Sequence, residues 1–297
     1  MRTTVAALLA CTAIASPVLA QDMDDVEIRA VELRPGVAVL FGNGGNIGVS
    51  YGEDGTILVD DQFAVLSDRI MAAVAGLGAE PVQYVINTHW HFDHAGGNEP
   101  FGEAGAIIVA HDNVRARLAS GGTVLGNVEP PAPEVALPVL TYDQGMTIHA
   151  NGDQIDLMYL GGGHTDGDTV VFWREANVVH MGDNFMHQAG WPFIDIESGG
   201  NVEHLLASLG RVLAMIDDDT VVIPGHGGIT DRAGLAAFRA MVADGVDRVR
   251  ALREEGMTLE QAVAAQPVAG LSNTANGFIS DDAFVTAVWH SLDAHRH

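Results

Sequence analysis

The chain has 297 residues, 39 of them acidic and 14 basic, for a formal net charge of −25, and every basic residue is arginine. A surface this acidic repels nucleic acid and anionic lipid, so neither is expected as a partner. At 47% hydrophobic and 18% charged residues the chain can bury a large core, which excludes a disordered protein.

Residues 1–20, MRTTVAALLACTAIASPVLA, read as a secretory signal. Arg2 is a short charged start, and the apolar run 5–15 is too short to span a bilayer. Pro17 breaks that run, and Val18-Leu19-Ala20 places small residues for cleavage before Gln21. A periplasmic or secreted location follows, with no integral membrane segment after signal removal. An alternative reading takes Leu8-Leu9-Ala10-Cys11 as a lipid-attachment site. Cys11 is the only cysteine, so the mature chain is expected to have no disulfide, no thiolate nucleophile and no thiolate metal ligand. Any metal site must be built from His, Asp and Glu.

Short strands are expected at 37–41, 47–51 and 56–59, the last two flanking the turn Glu53-Asp54-Gly55. Residues 64–77 have helical spacing through Leu66, Ile70, Ala73, Val74 and Leu77, and stop at Gly78. A buried strand at 82–87 runs into the histidine-rich stretch NTHWHFDHAGGN. Another strand is expected at 106–110 and a short helix at 113–119. Residues 120–138, rich in Gly and Pro, read as a long surface loop. Further strands are expected at 146–148, 155–160, 170–173, 178–181 and 221–223. Helices are expected at 202–216, 232–254, 259–265 and 282–295. No linker divides residues 21–297, which are taken as a single domain with C-terminal helices. Two mixed sheets packed face to face, with helices outside, satisfy this order.

His89, His91, Asp93 and His94 fall within six residues. In an extended segment residues two apart point the same way, so His89 and His91 can grip one ion. Asp93 and His94 follow the turn and can face a second. Imidazole and carboxylate without thiolate suit zinc, and would also accept iron or manganese. Three later glycine-bearing loops each follow an apolar run: Gly161-Gly162-Gly163-His164-Thr165, Met181-Gly182-Asp183-Asn184 and Pro224-Gly225-His226-Gly227-Gly228. His111, His149, His180, His187, His204, His290, His295 and His297 are taken as non-ligands, with His187 alone worth testing.

HxHxDH, GGGHT, GDN and PGHG, in this order over residues 36–228, resemble the metallo-β-lactamase-fold hydrolases. The resemblance implies an α/β (α+β) fold, a four-layer αββα sandwich with the metals at the sheet edge. It also implies two Zn2+ ions, the first held by His89, His91 and His164, the second by Asp93, His94 and His226, with Asp183 bridging. Classical β-lactamases of two subclasses have cysteine where this chain has Asp183, and many use a lysine that is absent here. The pattern therefore looks more like the broader hydrolase branches.

The expected activity is hydrolysis of an ester, lactone, thioester or amide in a small-molecule substrate. A hydroxide between the two metals would attack, with Asp93 accepting the nucleophile's proton. β-Lactam hydrolysis is the alternative, followed by an iron-dependent oxidoreductase or a non-catalytic binding protein on the same scaffold. Asp166 and Asp168 are candidates to orient imidazoles, and residues 185–193 to form a pocket wall. The glycine-rich turn 42–46 is read either as a mobile flap or as an ordinary hairpin turn.

Overall fold

The computed structural model describes residues 23–272 and 277–293. The expected signal segment lies outside the described residues, as does the end of the last expected helix. Strands β1 (Arg29–Arg34), β2 (Val37–Phe41), β3 (Ile47–Gly52) and β4 (Gly55–Val59) form an antiparallel meander. β5 (Val82–Ile86) and β6 (Ile107–His111) extend it in parallel from β4. A separate ribbon pairs β7 (Gly122–Val124) with β8 (Asn127–Glu129), and β9 (Leu140–Tyr142) then joins β6 to complete the seven-stranded sheet. The second sheet runs antiparallel through β10 (Gly145–Ala150), β11 (Asp153–Tyr159), β12 (Thr169–Trp173) and β13 (Val178–His180). β14 (Val221–Ile223) lies parallel to β13 at its edge.

The helices are α1 (Ser67–Gly76), α2 (Phe92–Ala95), α3 (Asn98–Glu103), α4 (Asp112–Ser120), α5 (Val202–Met215), α6 (Arg232–Glu254), α7 (Leu259–Ala264) and α8 (Asp281–Asp293). None of them is long and apolar enough to cross a membrane.

Alternation along the strands sorts the side chains into layers. Val37 and Val39 of β2 and Ile57 and Val59 of β4 meet Ile155, Leu157, Val171 and Trp173 between the sheets. Their sequence neighbours Ala38, Leu40 and Leu58 point the other way, onto Leu66, Ile70, Val74 and Phe101. On the far side Val170, Phe172, Val179 and Val222 pack against α5, α6 and α8. Leu205, Leu209 and Val212 recur at helical spacing on the buried stripe of α5. Fully burying one such side chain contributes about 1.5–3 kcal/mol. Helices therefore cover both outer faces of two mixed sheets, which is an αββα sandwich.

Residues 120–138 are not a structureless loop. They hold the ribbon β7–β8 and a 3-10 turn, Glu134–Ala136. Strands of three residues are too short to show an alternating pattern, and the prolines that follow hide them. β1 and β9 are likewise found only in the structure. Asp93 and His94 sit on α2, one helical turn, rather than on open loop.

Candidate metal centre

Strands from both sheets end at one edge, and the loops leaving them carry the chemistry. His89 and His91 follow β5, and α2 adds Asp93 and His94. His164 follows β11, Asp183 sits in a 3-10 turn after β13, and His226 follows β14. All seven expected ligands come together. Ligand atoms of His89, His91 and His164 lie within 4.8 Å of one another, as do those of His89, His94 and Asp183, and those of Asp93, His94 and His226. Two glycines make the approach possible. A Cβ on Gly45 would overlap the His94 ring, and one on Gly225 would overlap Asp183 Oδ1.

The hydrogen bonds fix which imidazole nitrogens face inward. His164 Nδ1 donates to the Phe193 carbonyl at 2.8 Å, and His91 Nε2 donates to Asp195 Oδ2 at 2.9 Å. His94 Nδ1 donates to Asp60 Oδ2 at 2.7 Å. Thr88 Oγ1 gives its own proton to Asp60 at 2.8 Å and accepts from His89 Nδ1 at 3.0 Å. On His89, His91 and His164 the opposite nitrogens are therefore lone pairs. His91 Nδ1 and His164 Nε2 face each other at 2.9 Å; His94 Nε2 and His226 Nε2, 3.2 Å apart, instead meet carboxylates, at 3.1 Å from Asp183 Oδ1 and 3.2 Å from Asp93 Oδ2. His89 Nε2 is buried with no hydrogen-bond partner. Facing lone pairs repel unless a cation lies between them, so this donor set fits a metal. Partners on the outer nitrogens are what a metal-binding histidine needs to hold its tautomer.

Charge is distributed to match. Burial, then the neighbouring His94, holds His89 well below the ordinary imidazole value. Burial, then His91, lowers His164 to about 4. Burial opposes the charged form of His94 as well, but Asp183, Asp93 and Asp60 raise it well above the usual value. Burial likewise works against His226, yet Asp183 and Asp93 hold it up to about 10. Asp183 is pushed down well below the carboxylate range, because His226 and His94 outweigh its burial. His89, His91, His94, His164 and Asp183 are buried. The side chains of Asp93 and His226 are 21% and 25% exposed, so the cluster opens to solvent on their side.

Three residues that the sequence reading missed shape the site. Asp60 directly follows β4 and serves two imidazoles at once, as described above. It and Gln62 hold left-handed φ values of 68° and 56°. Asp195 anchors His91. Asn46 donates to the carbonyls of Pro224 and Gly227, both at 2.9 Å, and so clamps the His226 loop. The turn 42–46 is not a flap: Gly45 N donates to Asp93 O at 3.0 Å and Asn46 N to Gly225 O at 2.7 Å. Polar residues directly after the apolar run of β4 were the one available signal for Asp60, the same signal that marked the other loops.

Asp168 accepts from the backbone N–H of His164 and Thr165, so it shapes the His164 loop instead of touching an imidazole. Asp166 is bound at both oxygens by Arg117 of α4, each at 2.7 Å. Residues 185–193 divide between roles. Phe185 and Trp191 are core, with Trp191 stacked on Phe284 at 4.0 Å. Phe193 stacks on His91 with ring centroids 5.7 Å apart. His187 Nδ1 donates to Gly228 O at 2.7 Å.

Five histidines and two aspartates converging at the loop edge of an αββα sandwich define the class, a protein built to hold metal at that edge. Residues 40–226 match the metallo-beta-lactamase superfamily, and the chain belongs to it. It is 29% identical over 157 residues to a hydroxyacylglutathione hydrolase of Polaromonas sp., a match covering 52% of each chain. It therefore spans about half the length of that relative. It is 28% identical over 185 residues to the probable metallo-hydrolase YqgX of Bacillus subtilis, covering 59% of this chain and 84% of the relative. The fold is shared with a metallo-beta-lactamase from Pontibacter korlensis (TM-score 0.63, 17% identity, 73% of this chain and 100% of that one). It is also shared with a stereoselective inverting sec-alkylsulfatase from Pseudomonas sp. (TM-score 0.67, 18% identity, 89% of this chain and 50% of that one).

Proposed function

We propose that the chain is a secreted binuclear zinc hydrolase of an ester, lactone, thioester or amide. His89, His91 and His164 would hold one ion and Asp93, His94 and His226 the other, with Asp183 as a further ligand. The observation that carries this reading is the convergence of three inward lone pairs, His89 Nε2, His91 Nδ1 and His164 Nε2, each backed by a hydrogen bond on its other ring nitrogen. Nitrogen and oxygen donors with no sulfur suit zinc. The expected signal over residues 1–20 supports export; sequencing the N-terminus of the exported protein should begin at Gln21.

When bound, the ions lower the pKa of a water toward about 7 and polarise the substrate's carbonyl oxygen. The chain does the rest. Asp195, Asp60 and Thr88 hold the imidazoles at fixed orientation. Asp93, on the solvent side with Oδ2 3.2 Å from His226 Nε2, takes the proton of the attacking water. The water oxygen adds to the carbonyl carbon, the bond to the leaving oxygen, sulfur or nitrogen breaks, and the proton on Asp93 passes to that leaving atom.

The test is a hydrolysis panel on metal-quantified protein: a lactone, a β-lactam, a thioester and a phosphodiester, with Asp93→Ala alongside. Cleavage of a carbonyl substrate by the wild type only is expected. Activity that survives in Asp93→Ala, or purified protein that carries iron, contradicts the reading.

A further inference from the structure

A groove of about 630 Å³ lies between the segment after Asp183 and helix α6. Met186, His187 and Gln188 form one wall, Phe238 and Met241 the other, with Leu271 at the end. Its size falls within the range of small-molecule sites, and its character does too: mostly apolar, with a few polar groups. Neither arginine nor a carboxylate is among the described residues that line it.

The groove is physically joined to the metal centre. Met186 pairs with His226 as a parallel bridge, and His187 N donates to His226 O at 2.9 Å. One wall is thus fastened to the loop of a proposed ligand and begins three residues after Asp183. His226 and Asp93 are the two cluster residues open to solvent, and of the two it is His226 whose backbone is held against the wall of this groove.

We infer that the groove is a specificity subsite for an uncharged, apolar acyl or alkyl arm of the substrate. Methionine and phenylalanine walls offer a long hydrocarbon chain adaptable apolar contact, and a described lining without arginine offers an anionic arm no fixed cation. The inference rests on the hydrolase reading for its placement beside the reacting bond.

Ala237 faces the groove from the exposed side of α6, so Ala237→Trp narrows it without disturbing the core. Zinc-loaded wild type and Ala237→Trp are compared on the acetate and octanoate esters of p-nitrophenol. Both are also titrated with methyl octyl ketone, an uncharged chain with no bond to hydrolyse. The octanoate-to-acetate ratio of kcat/KM should fall about tenfold or more in Ala237→Trp, and the ketone should bind the wild type and lose its affinity in the variant. An unchanged ratio, or equal ketone binding by both proteins, overturns the subsite. If the wild type cleaves neither ester, the carboxyl-ester hydrolase reading fails, and the ketone titration decides the groove by itself.

Discussion

Asp60 accepts the Nδ1 proton of His94 at 2.7 Å, and through Thr88 it also fixes the tautomer of His89. One buried carboxylate thus aims an imidazole at each of the two proposed ions. Asn at position 60 would keep the size and tolerate the left-handed backbone, but its amide would face His94 Nδ1 with a donor. His94 would then turn its protonated nitrogen toward the ion. Asp60→Asn should weaken binding of the second zinc about 10–100-fold, as measured by competition with a chelator. Unchanged affinity would remove Asp60 from the account.

The clamp at Asn46 is tested by charge. Asp at this position would set a carboxylate against the carbonyls of Pro224 and Gly227, which now accept its two N–H bonds. Asn46→Asp should lower stability by about 2 kcal/mol or more, read by urea denaturation, and should reduce zinc content. A variant as stable as the wild type would mean that the His226 loop holds itself.

Much of the site was legible because of where its residues fall. His164, Asp183 and His226 each stand in a glycine-bearing loop directly after an apolar run, so the strand ends announced them. The sheets were legible through alternation, as in Val37 to Leu40. What escaped was of two kinds. Asp195 and Asn46 act through one and two side-chain hydrogen bonds across more than a hundred positions of chain, and no spacing records such partners. The ribbon β7–β8 and strand β9 are three residues each, shorter than any period can show. The turn 42–46 invites a flexible reading by its three glycines, and only the structure reveals that close approach to His94 is the reason for Gly45.

Metal uptake should release protons. In the metal-free protein His226 is held up to about 10 and His94 well above the usual value, so both carry protons at neutral pH. Metal must displace them, and apparent zinc affinity should rise with pH until about 10. Calorimetric titrations near neutral pH, in buffers of different ionisation enthalpy, should report release of about two protons per loaded chain. For folding the sign is opposite. Folded-state values raised above the unfolded value of about 6.5 mean that the folded chain binds more protons. The contribution to metal-free stability is complete below about pH 6.5 and is lost as pH rises toward about 10. Zinc affinity independent of pH, with no proton release, would contradict the assigned protonation.

Helix α8 is fastened by Trp191, which stacks on Phe284 with a ring angle of 10° and donates from Nε1 to Asp281 at 2.7 Å. Trp191→Ala removes the stack and leaves a cavity in the core beneath α5, α6 and α8. The expected loss is about 3–5 kcal/mol, measured by denaturant unfolding, with the zinc content of the folded fraction unchanged. A loss under about 1 kcal/mol would mean that α8 docks by other contacts.

The most direct test of the central claim is metal stoichiometry. Purified mature protein, loaded with zinc, freed of excess by dialysis and analysed by mass spectrometry of the metal, should hold two zinc ions per chain. One ion or none would contradict a binuclear centre built from these seven side chains.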